Sequence, residues 1–72
     1  MLQHETTNEL IVNGQKTASG AGTLAELIHE RGLSEAKVAT ALNGQFVPAA
    51  RRATTTLSRG DRVEIVSARQ GG

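Results

Sequence analysis

The sequence predicts an α+β domain in which one short helix lies across one face of a mixed sheet. Three observations carry that prediction. Two Asn-Gly dipeptides, at 13–14 and 43–44, each sit between short extended runs. A single helix-start pattern begins at Thr23, and an alternating run, Arg62-Val63-Glu64-Ile65-Val66, lies near the end of the chain. A helix and a sheet each have one apolar face to bury, and packing one on the other is the smallest two-layer solution.

Leu10-Ile11-Val12 is a short β-prone run, followed by Asn13-Gly14 and Gln15-Lys16-Thr17-Ala18. Asn-Gly between extended runs predicts a hairpin, because a type I′ turn needs positive φ at both central positions. Ser19-Gly20-Ala21-Gly22 is then a loop of small residues. Thr23-Leu24-Ala25-Glu26 fits a capping box, in which the Thr hydroxyl and the Glu carboxylate each take up the other's free backbone N–H. Leu24, Leu27 and Ile28, at i, i+3 and i+4, make one apolar stripe. Arg31 suits the negative end of the helix dipole, and Gly32 suits the left-handed position just beyond it. A helix of about nine residues is too short to persist alone in water, so it needs a sheet to lie on.

Ser34-Glu35-Ala36-Lys37 reads as a polar connection. The alanines of Val38-Ala39-Thr40-Ala41-Leu42 could extend a helix, but the second Asn-Gly and the following Gln45-Phe46-Val47 predict a strand over 38–42 and a second hairpin. Pro48 has no N–H, so it ends that hairpin or puts its second strand at an edge. Residues 49–59 read as a surface excursion around Leu57, and Gly60-Asp61 turns the chain into the final strand, 62–66. The expected division is a polar extension at 1–7, a folded domain at 8–66 and a mobile tail at 67–72. The expected core is Leu10, Val12, Leu24, Leu27, Ile28, Val38, Leu42, Leu57, Val63 and Ile65. Leu10/Val12 and Val63/Ile65 are each two apart, so each pair can share a face.

Composition narrows what such a domain can do. A chain of this size buries only about 60% of its unfolded surface, so the core is thin and single. There is no cysteine, which excludes disulfides, thiolate catalysis and zinc knuckles. One Phe and no Trp or Tyr leave no aromatic platform for stacking bases. Eight basic against seven acidic residues give a net charge of +1, which is not the basic footprint of a nucleic-acid binder. Residues 1–7 lack the basic and apolar parts of a secretory leader, and no apolar run nears the roughly 20 residues needed to cross a bilayer. The expected compartment is the cytoplasm.

Candidate chemistry in the side chains is sparse. His4 and His29 are the only imidazoles and stand far apart, with no clustered carboxylates to complete a metal site. No His and acid are set near any Ser or Thr by a catalytic spacing. Gly20-Ala21-Gly22-Thr23 before a helix superficially suits an anion, but it lacks the GxxxxGK[ST] spacing and reads as a loop turning into the helix. Arg51-Arg52 reads as a solvated pair, the alternative being a contact to phosphate or an acidic partner. Phe46 and Val47 face opposite ways if they share a strand, so one covers core and the other sits outside. With Ile11 and Val66 they form the candidate docking surface.

Gly71-Gly72 is the remaining feature. A carboxylate on a terminal glycine has no Cβ beside it and is the least hindered that a protein can offer; a preceding glycine adds freedom and a narrow cross-section. Residues 67–72, extended, reach about 20 Å, enough to thread into another enzyme's active site while the folded head docks outside. A carboxylate is a poor acyl donor. Attack by its oxygen on the α-phosphate of ATP makes an acyl-adenylate, and a sulfur nucleophile can then displace AMP. The product is a C-terminal thiocarboxylate, a sulfur donor that needs no cysteine.

The element order is that of a β-grasp, or ubiquitin-like, domain. Within it, Val-x-x-Ala-Leu-Asn-Gly-Gln-Phe-Val-Pro at 38–48, Leu-x-x-Gly-Asp-x-Val-Glu-Ile at 57–65 and the final Gly71-Gly72 resemble the ThiS family, the sulfur carriers of thiazole formation in thiamine biosynthesis. The resemblance spans about residues 8–72, and the extension at 1–7 departs from the family's shorter start. It implies that the chain is a carrier rather than an enzyme and binds no cofactor itself. An E1-like activating enzyme using ATP and Mg²⁺ would adenylate Gly72, with Arg69, Gln70 and Gly71 as the tail it holds. Sulfur would come through a cysteine desulfurase and be consumed by thiazole synthase. Two other families share parts of the pattern. The small subunit of molybdopterin synthase has the same fold, ending and chemistry, but tends to be longer and richer in aromatics. The TGS-type binding module shares the Asn-Gly-x-x-Val-Pro hairpin and the Leu-x-x-Gly-Asp-x-Val-Glu-Ile run without carrier chemistry; the Gly71-Gly72 ending separates it from the carriers.

Overall fold

A computed structural model describes residues 7–34 and 37–67. The extension up to residue 6 and the tail from residue 68 onward lie outside the described residues, as do 35–36 in the polar connection.

Asn13 and Gly14 take φ of 52° and 83°, and the two-residue turn they form joins β1 (Asn8–Val12) to β2 (Gln15–Ser19) with Val12 opposite Gln15. Asn43 and Gly44 repeat the geometry, with φ of 50° and 86°, between β3 (Val38–Leu42) and β4 (Gln45–Val47). Both hairpins are therefore set by the turn chemistry that the sequence predicts. The last strand, β5 (Arg62–Ser67), lies in the middle of a five-stranded sheet of order β2-β1-β5-β3-β4. It runs parallel to β1 and antiparallel to β3. The strand goes one residue beyond Val66, because Ser67 pairs with Val38.

The helix α1 (Leu24–Glu30) has seven residues, shorter than the sequence suggests. Its C-terminus sets the limit. Gly32, at φ +74°, donates from N–H to His29 C=O, and Leu33 donates to Ile28 C=O, which together form a Schellman cap. Leu33 then folds back on the core. At the other end Thr23 Oγ1 accepts from Glu26 N–H at 3.2 Å, as a capping box requires. The return bond differs: Glu26 Oε1 accepts from Gly22 N–H at 2.7 Å, one residue earlier than the motif predicts. Thr23 is instead drawn to the chain's other half by a bridge to Thr56, with Leu24 N–H donating to Thr55 C=O and Leu57 N–H to Gly22 C=O.

Leu24, Leu27 and Ile28 pack onto the sheet face built by Leu10, Val12, Val63 and Ile65, with Leu57 closing one side. The core gains Ala21 and Val47, while Val38 and Leu42 are only partly buried at its margin. Between those two lies buried Thr40, whose hydroxyl donates to Val47 C=O at 2.8 Å. Residues 49–54 are not irregular: a 3-10 helix, Ala49–Thr54, follows Pro48 and carries Arg52 back to β3. Arg52 donates from Nε to Thr40 Oγ1 at 3.1 Å and from Nη2 to Val38 C=O at 2.7 Å. Arg52 is thus a strut between the excursion and the sheet, not half of a solvated pair. Ser19, also buried, donates to Glu30 and ties the end of β2 to the last turn of the helix.

Candidate functional site

With the helix covering one face, the other face of the sheet is open. Directly paired residues on neighbouring strands point the same way. Ala41 pairs with both Phe46 and Glu64, and Ala39 pairs with Val66. Ala39, Ala41, Phe46 and Val66 therefore form one apolar strip across β5, β3 and β4. Phe46 is 69% exposed and Val66 56%, the two large apolar residues left most open to solvent among those described. Adjacent exposed apolar side chains of this kind make the strip the candidate contact surface of the domain.

The structure sorts the sequence-predicted docking residues. Phe46 and Val66 belong to the strip. Val47 does not: it is buried in the core, because its partner across the hairpin, Thr40, faces inward. Ile11 is on the open face but pairs with Arg62, about 13 Å along β5 from Val66 at the usual strand rise. The charged side chains of Arg62 and Glu64 separate it from the strip, and it borders a shallow hollow with them. Ala39 and Ala41 are the strip residues that the sequence reading missed. The alternation that turns Val38 and Leu42 inward also turns these two outward, so the signal was present. Arg69, Gln70, Gly71 and Gly72 follow β5 and lie outside the described residues.

Other candidates resolve as structure. The loop before the helix has no N–H turned out for an anion at the positions that matter. Gly20 N–H points to Glu30 Oε2 at 3.4 Å, Ala21 N–H to Ser19 Oγ at 3.0 Å and Gly22 N–H to Glu26 Oε1 at 2.7 Å. Two carboxylates already occupy the place where a phosphate would sit. His29 Nδ1 lies 3.2 Å from Ser34 Oγ at the exposed end of the helix. Among the described residues no three His, Asp or Glu side chains converge on one point, and no helix is long and apolar enough to cross a membrane.

Comparison with known proteins agrees with this architecture. No curated protein matches the chain. Among solved structures, the chain is similar to a crystal structure of the thiamine biosynthesis protein ThiS from Geobacter metallireducens, at 32% sequence identity and a TM-score of 0.73. That likeness covers 89% of this chain and 99% of the Geobacter chain. The family model for ThiS matches residues 5–72, which takes in both hairpins, the central strand and Gly71-Gly72. A mixed five-stranded sheet with one helix across it, an open apolar strip beside the outgoing strand and a family match along nearly the whole length lead to one assignment: the chain belongs to the ThiS family.

Proposed function

We propose that this protein is a sulfur carrier of thiamine biosynthesis, loaded as a thiocarboxylate on Gly72. The observation that carries the reading is the ThiS family match, which runs through Gly71 and Gly72 to residue 72. The likeness to a thiamine biosynthesis protein over 99% of that protein's length supports the pathway. Loading proceeds in two steps on a partner. The Gly72 carboxylate attacks the α-phosphate of ATP, with Mg²⁺ held by an E1-like activating enzyme, and pyrophosphate leaves. A sulfur nucleophile, supplied through a cysteine desulfurase, then attacks the acyl carbon and AMP leaves. Thiazole synthase takes the sulfur from the resulting thiocarboxylate.

The carrier's part in this is geometric. It must present a thin carboxylate-bearing strand to a buried active site and grip the partner elsewhere. β5 is paired with β1 at Arg62 and Val63 and with β3 from Val63 to Ser67, so the tail follows a strand from the middle of the sheet. The strip of Ala39, Ala41, Phe46 and Val66 runs from β5 across β3 to β4, and a grip there would lie near the end of β5, which supports this reading. Phe46→Ala is expected to weaken association with the activating enzyme by about tenfold, as removal of an aromatic anchor commonly does. Its thermal unfolding is expected to stay that of the parent, because the ring is mostly in solvent. Titration of both proteins against the activating enzyme checks this, and equal affinities would remove the strip from the interface.

The direct test of the function is co-expression with the activating enzyme and a desulfurase, followed by intact-mass measurement. One oxygen replaced by sulfur, mapped to Gly72, is the expected result. Supplying the loaded protein to thiazole synthase and to the large subunit of molybdopterin synthase then decides the pathway, with transfer to the former expected. Absence of both adenylate and thiocarboxylate, with an activating enzyme that loads another ThiS protein, overturns the carrier reading.

A further inference from the structure

Asn-Gly is the dipeptide most prone to loss of its side-chain amide, because no Cβ on the second residue hinders attack by its backbone nitrogen. The fold restrains both Asn-Gly asparagines by bonding them to β5 or to Asp61 just before it. Asn13 Oδ1 accepts from Ile65 N–H at 2.8 Å and its Nδ2 donates to Ile65 C=O at 3.0 Å, in a half-buried setting. Asn43 Oδ1 accepts from Arg62 N–H at 2.9 Å and its Nδ2 donates to Asp61 Oδ1 at 3.0 Å, both at the surface.

Two differences separate the turns. Each hairpin lays one strand against β5 and ends in an edge strand, but the first is zipped by five residue pairs and the second by three. A segment with few pairs and exposed bonds opens at lower free energy. The second difference is the acceptor. Asn13 Nδ2 faces a neutral carbonyl, and Asn43 Nδ2 faces a carboxylate whose other oxygen is committed to Ser58 N–H at 2.8 Å.

We propose that Asn43 is a site of spontaneous covalent modification, deamidation through a cyclic imide, and that Asp61 makes the modified hairpin unstable. The backbone nitrogen of Gly44 attacks Cγ of Asn43 and loses its proton. The Cγ–Nδ2 bond breaks and Nδ2 leaves as ammonia. Water, the only co-reactant, opens the imide at either carbonyl to give an aspartyl or isoaspartyl residue. The aspartyl product replaces the N–H donor opposite Asp61 by a second carboxylate, and like charges at hydrogen-bond distance repel. The isoaspartyl product removes the same donor and adds a methylene to the backbone of a two-residue turn. Asp61 cannot swing away without giving up Ser58. The modification therefore loosens β4 from the sheet, and with it Phe46.

The experiment uses the full chain at neutral pH, aged with and without urea and followed by peptide mass mapping. In urea the two Asn-Gly sites are expected to convert at comparable rates. In the folded protein Asn43 is expected to convert about tenfold faster than Asn13, the ratio given by about 1.4 kcal/mol of difference in opening free energy. Equal folded-state rates, faster conversion at Asn13, or an Asn43 that stays intact overturns the proposal. A second arm measures urea midpoints of N43D, D61N and the double variant. N43D is expected to lower the midpoint clearly in the parent and much less alongside D61N; an equal drop in both backgrounds overturns the role of Asp61.

Discussion

Deletion of Gly71-Gly72 is expected to abolish activation completely while leaving the fold untouched. ATP–pyrophosphate exchange catalysed by the activating enzyme should fall to its background, and no thiocarboxylate should form. Thermal unfolding should stay within about 0.5 kcal/mol of the parent, the range of substitutions that touch no core contact. The second half follows from where the core is. Among the described residues, the ten of the core fall between Leu10 and Ile65, and the last strand pairing is that of Ser67 with Val38. The first half follows from the chemistry, since shortening the tail by two residues withdraws the carboxylate by about 7 Å at the usual rise and puts it on the bulkier Gln70. The truncated protein keeps Phe46 and Val66, so it should still dock and compete with the intact carrier for the activating enzyme. Retained exchange would overturn the assignment of Gly72. A truncated protein that unfolds would show that the tail is part of the fold.

The two kinds of information in this prediction were not equally legible in the sequence. Local chemistry was. Asn13-Gly14 and Asn43-Gly44 demand positive φ, Gly32 ends the helix, Thr23 begins it, and Val63 and Ile65 alternate, so element order followed from contacts within a few residues. The facing of Phe46 and Val47 was half legible. A two-residue turn at Asn43-Gly44 sets Leu42 opposite Gln45, hence Ala41 opposite Phe46 and Thr40 opposite Val47. With Val38 and Leu42 facing in, Thr40 and Val47 must face in and Phe46 out. The period of two thus contains the answer, once the register is carried across the turn.

What pattern could not reveal is polar pairing over long separations. Arg52 looks like one of two surface cations until the 3-10 helix brings it to Thr40 and Val38 C=O. Ser19 looks like a loop residue until its hydroxyl meets Glu30 across the first crossover. Neither has a spacing that marks it, because both depend on how the excursion and the helix are laid on the sheet. The same holds for Asn13, whose side chain takes over where β1 stops and continues the pairing of β5 through Ile65. Of these bonds, those of Asn13 extend the hold of the first hairpin on β5 beyond the two residue pairs that β1 itself makes.

A thin core makes the domain acutely sensitive to the helix that covers it, and Leu27→Ala is the substitution expected to show this most strongly. Leu27 is fully buried in the middle of the apolar stripe, between Leu24 and Ile28. Truncating a buried leucine costs about 2–5 kcal/mol, the upper part of the range applying where the surroundings cannot collapse into the gap. Collapse is restricted here. The seven-residue helix is pinned at its start by the bridge to Thr56 and at its end by the Ser19–Glu30 bond, so it cannot sink toward β1 and β5. A chain of 72 residues has only about 4–11 kcal/mol of stability in total. The variant should therefore lose a large part of it, with the melting temperature falling by about 15–40 °C. Urea unfolding checks the mechanism: the midpoint should drop with the slope unchanged, since the surface exposed on unfolding is nearly the same. Leu27→Met, which keeps the volume, should recover most of the loss. If Leu27→Ala proved no more costly than Phe46→Ala, the helix would not be seated on the sheet by this stripe, and the open strip would lose its claim to be the sheet's free face.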